Sequence, residues 1–73
     1  MIIITGPQGT DEEVGLVAET AGLYGALPAY SVVVEWPSAT ALYCLVGWEL
    51  CALAVADVTI AETIGIPVIP LPV

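Results

Sequence analysis

The chain has 73 residues, eight acidic side chains and no Lys, Arg or His, which gives a formal net charge of −8. Without a cationic side chain it cannot neutralise phosphate groups, so we expect no binding to nucleic acid or to anionic lipid headgroups. Catalysis through His or Lys side chains is excluded as well. The remaining chemistry belongs to carboxylate, tyrosine, thiol, hydroxyl and backbone groups.

The first part of the chain has the pattern of a strand followed by a helix. Residues 1–5 form a short run rich in isoleucine, closed by Gly6-Pro7, which predicts a buried strand. Thr10 begins a capping box, because a glutamate lies three residues later. Apolar residues at helical spacing then predict a first helix over residues 11–24, which ends at Gly25.

The rest of the chain predicts three more strands and one more helix. Residues 30–35 and 42–46 are rich in β-branched and other apolar residues and predict strands. A helix is expected over residues 49–64 and a last strand over residues 67–71. The order β-α-β-β-α-β predicts a single α/β domain over residues 1–73, a small sandwich of the Rossmann or flavodoxin type.

One connection is unusually short for this fold. Residues 36–41 alone join the second and third predicted strands, whereas a parallel crossover needs about a dozen residues. The two strands therefore either pair antiparallel or lie far apart in a truncated sheet that lacks one crossover helix. A face of the sheet would then lack cover. Because 59% of the residues are hydrophobic, we expect a second copy to supply that cover in a homo-oligomer.

The apolar stretch over residues 39–56 raises the question of membrane insertion. It is shorter than the roughly 20 residues that a spanning helix needs, and Glu49 lies near its middle. No basic residues flank it, and Gly47 interrupts it. The amino end also lacks the basic region of a signal peptide. We therefore expect no membrane partner and a cytoplasmic location.

The two cysteines, Cys44 and Cys51, do not indicate a disulfide framework or a metal site. Their spacing is not that of a CxxC motif, and the chain has no His to complete a zinc site. We interpret both as small buried hydrophobic residues. No metal and no cofactor are expected.

The glycine-containing loop over residues 6–10 connects the first strand to the first helix. It lacks the Lys of a phosphate-binding Walker loop, and the acids Asp11, Glu12 and Glu13 that follow it repel phosphate. Two interpretations stay open. The loop is either a capped helix start with favourable acid–dipole contacts or a loop that closes over a neutral ring or sugar.

Asp57 is the candidate catalytic residue. It is a lone acid among apolar residues of the second predicted helix, so its pKa should be raised, and it is either functional or a mispaired surface acid. Glu49 lies eight residues earlier, about 12 Å away along a helix axis, which is too far for a paired-carboxylate glycosidase site.

The chain resembles the nucleoside 2-deoxyribosyltransferase-like superfamily, in particular its small phage and bacterial relatives of uncharacterised function. The features that carry the resemblance are a first strand ending in Gly6-Pro7, the motif Gly47-Trp48-Glu49, an acid eight residues after that glutamate, and a closing Gly65-Ile66-Pro67-Val68. The resemblance covers both ends of the chain and implies an α/β fold.

The resemblance also implies a site and a reaction. Asp57 would be the nucleophile that attacks the anomeric carbon of a nucleoside, with Gly6, Pro7, Trp48 and Glu49 around the substrate. The family has a longer Glu at the position of Asp57, and smaller residues at those of Cys51 and Leu53. These departures imply weak or absent glycosyl transfer. The lack of a basic residue makes a free nucleoside a better substrate than a nucleotide.

Two other functions remain open from the residues. The charge of −8 is typical of an acidic interaction or inhibitor protein, for example a phage protein, that binds the basic surface of a partner protein. The absence of basic residues also fits an engineered scaffold with a restricted alphabet. Whether the chain is an enzyme is not decided by its sequence.

Overall fold

The structure, a computed structural model, describes residues 1–31 and 34–71. In these ranges strands and helices follow one another as β1 (Ile2–Thr5), α1 (Asp11–Tyr24), β2 (Leu27–Pro28), β3 (Ala41–Cys44), α2 (Ala52–Ile64) and β4 (Val68–Pro70). Two single turns of 3₁₀ helix, Trp36–Ser38 and Trp48–Leu50, precede β3 and α2. The predicted order β-α-β-β-α-β is confirmed.

The four strands form one parallel sheet in the order β2-β1-β3-β4. Strands β2 and β3 follow one another in the chain but are separated in the sheet by β1. Of the two arrangements left open by the short connection, the truncated sheet is therefore correct and antiparallel pairing is wrong. The fold is a small α/β sandwich of the Rossmann or flavodoxin type that lacks one crossover helix.

Helix α1 has the bounds that its sequence signals predict. The Thr10 hydroxyl accepts a hydrogen bond of 3.2 Å from the Glu13 amide. The Glu13 carboxylate accepts one of 3.1 Å from the Gly9 amide. At the other end, Gly25 has a φ of +62°, a conformation that glycine adopts without strain, and its amide reaches back to the last turn. The capping box and the glycine stop thus fix both ends.

The second strand lies earlier in the chain than predicted. We expected it over residues 30–35, but the described part of that segment contains no strand, and residues 32–33 lie outside the described residues. The strand is Leu27–Pro28, and the Ala29 amide extends its pairing by donating to the Ile4 carbonyl at 2.8 Å. Pairing with β1 directly after α1 outweighs the β-propensity of the later residues.

The two helices cover opposite faces of the sheet. Side chains alternate between faces along a strand, so Ile3 and Ile4 belong to different cores. On the α1 side the core consists of Ile4, Val17 and Ala21. On the α2 side it consists of Ile3, Leu42, Cys44, Val58 and Ala61.

Although one crossover helix is missing, the α2 side of the sheet is covered. The irregular segment between β2 and β3 packs Val34, Trp36 and Ala39 against the α2-side core. Exposed sheet surface lies instead on the α1 side, toward β4, where helix α1 does not extend. There Ile69 of β4 pairs with Tyr43 of β3, so both point to the α1 side, and Ile69 is 42% exposed.

The apolar stretch over residues 39–56 is divided among several elements. It contributes strand β3, the turn Trp48–Leu50 and the first residues of α2. Helix α2 begins at Ala52, not at residue 49 as predicted, because Cys51 has extended backbone angles. Within residues 1–31 and 34–71, no helix combines the length and apolar character needed to cross a membrane.

Candidate functional site

The carboxyl ends of β1 and β3 form the place where an α/β sheet of this type binds ligands. From β1 the chain proceeds to α1 on one face, and from β3 it proceeds to α2 on the other face. The two connecting loops therefore diverge and leave a crevice between them. The loop after β1 contains Gly6 and Pro7, and the loop after β3 contains Gly47 and Trp48.

Asp57 of α2 lies against the end of β1. Its Oδ2 atom accepts a hydrogen bond of 2.8 Å from the Thr5 hydroxyl and one of 3.3 Å from the Gln8 side-chain amide. The same amide of Gln8 also donates to the Thr5 oxygen at 3.2 Å. The three side chains form a closed cluster, called here the Asp57 cluster, which holds one carboxylate oxygen in place.

Burial and hydrogen bonding act on the Asp57 carboxyl in opposite directions. Partial burial raises its pKa above the ordinary value, and the hydrogen bonds from Thr5 and Gln8 lower it. The net direction is upward. The group therefore binds a proton more readily than an exposed aspartate, while its ionised form is held by two donors.

The same region disfavours the thiolate form of Cys44. Burial raises the pKa of its thiol to about 11, and the negative charges of Asp57 and Glu49 act in the same direction. The side chain is 1% exposed. The interpretation of Cys44 as a small buried hydrophobic residue is thus consistent with the structure.

A cavity of about 540 Å³ lies between the two loops. Its wall is formed by Pro7, Gly9, Glu13, Val46, Gly47, Leu50, Cys51 and Ala52. Gly47 has a φ of +91°, and a Cβ atom there would be 3.3 Å from the Pro7 ring. Only glycine suits this position, because another residue would be strained and would press on the opposite loop.

Cys51 is partly exposed and lines this cavity. The backbone amides of Ala54, Gln8 and Leu53 favour its thiolate and lower the thiol pKa, with Ala54 making the largest contribution. The expectation that Cys51 is buried like Cys44 is therefore wrong. The residue is at the N-cap position of α2, without a capping hydrogen bond from its side chain, and the amide groups of a helix start favour the thiolate.

The structure brings together only part of the predicted site. Pro7 lines the cavity, whereas Gly6 is buried with its Cα facing Leu45. Trp48 packs against the α2-side core, and Glu49 is exposed. None of Gly6, Trp48, Glu49 and Asp57 belongs to the cavity wall.

Gln8 links the cavity to the Asp57 cluster, because its neighbours Pro7 and Gly9 line the cavity and its side chain donates a hydrogen bond to Asp57. Thr5 was not identified from the sequence, and Gln8 was included only as part of the loop over residues 6–10, without a role for its side chain. The available signal was a polar residue at the carboxyl end of an otherwise apolar strand, which is where ligand-binding groups lie in parallel sheets.

The described residues give no indication of a metal centre. Within the ranges 1–31 and 34–71, no three Cys, Asp or Glu side chains are grouped so that they could hold a metal ion.

Comparison of the chain with protein-family models, curated proteins and solved structures found no match.

Proposed function

We propose that the carboxyl edge of the sheet binds a neutral, hydroxyl-rich small molecule, with a free nucleoside as the substrate class, and cleaves its N-glycosidic bond slowly. The observation that carries this proposal is the Asp57 cluster. A half-buried carboxylate is fixed by Thr5 and Gln8 at the crevice where parallel sheets bind ligands.

The charge of the chain selects a neutral ligand. The chain has no cationic side chain to hold a phosphate, and three acids occupy the first turn of α1 beside the crevice. A nucleotide would meet repulsion there and find no partner for its phosphate. A nucleoside brings only hydroxyl groups and ring nitrogens, which carboxylate and amide groups can recognise.

The geometry of Asp57 leaves one oxygen for chemistry. Its Oδ2 accepts both hydrogen bonds of the cluster, and no hydrogen bond to Oδ1 comes from the described ranges of the chain. Ionised Oδ1 attacks the anomeric carbon of the sugar while the bond to the base nitrogen breaks. The base leaves with that electron pair and takes a proton from solvent. Water then hydrolyses the glycosyl ester and regenerates the carboxylate.

Two features keep this reaction slow. Aspartate is one methylene shorter than the glutamate of the superfamily that the chain resembles, which withdraws the oxygen by roughly 1.5 Å. A misplacement of about 1 Å can reduce a rate about 10²-fold. In addition, Asp57 does not line the cavity, so the Gln8 side chain must move before a sugar can contact the carboxylate.

The proposal is tested by measuring release of free base from deoxynucleosides by chromatography. We expect slow release by the unmodified protein, none by Asp57→Asn, and faster release by Asp57→Glu, which restores the longer side chain. Glu62→Gln is the matched control, because it removes one charge from an exposed position of the same helix. It should leave the rate unchanged.

The asparagine variant separates chemistry from folding. It keeps an oxygen that can accept from Thr5 and Gln8, so the fold should persist and can be checked by circular dichroism. Equal base release by the unmodified protein and Asp57→Asn would overturn the proposal, as would no release by either the unmodified protein or Asp57→Glu.

A further inference from the structure

A second depression, called here the α1 groove, adjoins the cavity between the crevice loops and shares Pro7, Glu13 and Val46 with its wall. It has a volume of about 570 Å³ and runs between α1 and the carboxyl ends of β3 and β4. Its apolar wall comes from Leu16, Leu23, Tyr24, Leu45, Val46 and Leu71. Leu16 and Leu23 are 55% and 82% exposed within this wall, and a contiguous exposed apolar patch of this kind is typical of an interaction surface.

The layers of the fold indicate the shape of an occupant. Helix α1 packs mainly over β1 and β2, and it meets β3 at its edge, where the rings of Tyr24 and Tyr43 are in edge-on contact with centroids 5.5 Å apart. Farther along the sheet, Ile69 remains exposed on the same side. In α/β folds a sheet face of this kind is covered by a helix that lies beside its neighbour. A helix therefore fits the α1 groove better than an extended segment does.

The charges beside the groove indicate the chemistry of that helix. The acidic ridge, as it is called here, consists of Glu12, Glu13 and Glu19 of α1. These side chains border a surface depression that adjoins the groove and shares Leu16 and Glu13 with it. The chain itself has no Lys or Arg to neutralise this acidic ridge. A second copy would add eight more acids and no basic side chain, so charge complementarity favours a cationic partner.

We propose that the α1 groove is a docking site for a cationic amphipathic helix of a partner protein. The apolar stripe of that helix packs on Leu16, Leu23 and Tyr24, and its Lys or Arg residues lie beside the acidic ridge. This inference concerns protein recognition on the α1 side and goes beyond the proposed reaction at Asp57.

The test uses a synthetic helical peptide with leucines along one stripe and lysines on the opposite face. Its affinity is measured by calorimetry at low and high salt. We expect binding that weakens as the salt concentration rises, and no binding of the same peptide with glutamate in place of lysine.

Two pairs of variants locate the binding site. Leu16→Ser with Leu23→Ser should weaken binding about tenfold or more, because two exposed apolar contacts are lost. The matched control is Leu53→Ser with Ile64→Ser, which removes two exposed apolar side chains of α2 that line neither the groove nor the cavity, and it should have no such effect.

The contribution of charge is tested in the same way. Glu12→Gln with Glu19→Gln should weaken binding and flatten its salt dependence. Glu35→Gln with Glu62→Gln changes the net charge by the same amount at exposed positions away from the ridge. It should retain most of the affinity.

Three results would overturn the inference. One is failure of the lysine peptide to bind, and another is an equal loss of affinity in a test pair and its control. The third is a dimer of the free protein, seen by sedimentation, that dissociates when Leu16 and Leu23 are replaced. That outcome would assign the groove to a second copy.

Discussion

The Thr5 hydroxyl donates a 2.8 Å hydrogen bond to Asp57 across a sequence separation of 52 residues. This bond joins the end of the first strand to the second helix and gives a fully buried hydroxyl its partner. It thus serves the fold and orients the carboxylate at the same time, because an unpaired hydroxyl in the core would be destabilising.

Replacing Thr5 with Val removes the hydroxyl and keeps the shape of the side chain. Because this hydrogen bond lowers the pKa of Asp57, its loss should raise that pKa further. The free energy of unfolding should fall by about 1–3 kcal/mol at neutral pH. Carbon NMR titration of the carboxyl and urea unfolding measure the two effects. An unchanged or lower pKa would show that Thr5 does not stabilise the ionised form.

The raised pKa of Asp57 has a defined effect on stability. The folded protein holds the proton of the Asp57 carboxyl more tightly than the unfolded chain does. This difference adds to the free energy of unfolding, and the added stability is fully present below the ordinary pKa of 3.8. It is lost as the pH rises through the higher folded value. Relative to Asp57→Asn, the unmodified protein should therefore become less stable over that window and then level off.

Urea unfolding of both proteins at a series of pH values measures this difference. Acids common to both proteins cancel in the comparison, so the trend reports on Asp57 alone. A difference that moves in the unmodified protein's favour as the pH rises would mean that the folded pKa lies below 3.8.

The two cysteines should differ in reactivity. With a pKa of about 11, Cys44 is thiolate in only about one molecule in 10³ at pH 8, and it is buried as well. Cys51 has a lowered pKa and lines the cavity. Iodoacetamide should modify Cys51 first, with Cys44 reacting only in denaturant, as read by peptide mass mapping. Modification of both at similar rates would contradict this assignment.

Two glycines provide a matched test of packing. A Cβ atom at Gly6 would be 2.8 Å from the Leu45 Cβ, whereas one at Gly22, inside α1, would have no neighbour within 4 Å. Gly6→Ala should destabilise the fold by about 1–3 kcal/mol, and Gly22→Ala should stabilise it by about 0.4–1 kcal/mol. Thermal unfolding distinguishes them. Equal effects of the two changes on stability would show that the close contact with Leu45 does not exclude a side chain at position 6.

Local signals in the sequence predict the elements whose ends they define. Thr10 and Gly25 fix the limits of α1, and Gly65, at a φ of +82°, ends α2. The second strand could not be placed in this way. Its position depends on how soon the chain pairs with β1 after α1, and the β-branched residues that follow mark a different segment.

The site was only partly predictable for a related reason. Asp57 was identified as an isolated acid on an apolar helix, but its partners Thr5 and Gln8 lie about fifty residues away in sequence. Their contact arises from packing of α2 beside the end of β1, which no local pattern encodes. Only the family resemblance placed Trp48 and Glu49 in the site. In the structure their turn directs Trp48 to the core and leaves Glu49 exposed.

The central claim, that the Asp57 cluster binds a nucleoside, is tested most directly by an NMR titration with deoxyadenosine. The account predicts saturable shifts of the Gln8 side-chain amide and the Asp57 carboxyl carbon, with the Gly22 amide unchanged. Asp57→Asn should weaken the binding. Shifts confined to other surfaces, or none at Gln8 and Asp57 at any attainable nucleoside concentration, would contradict it.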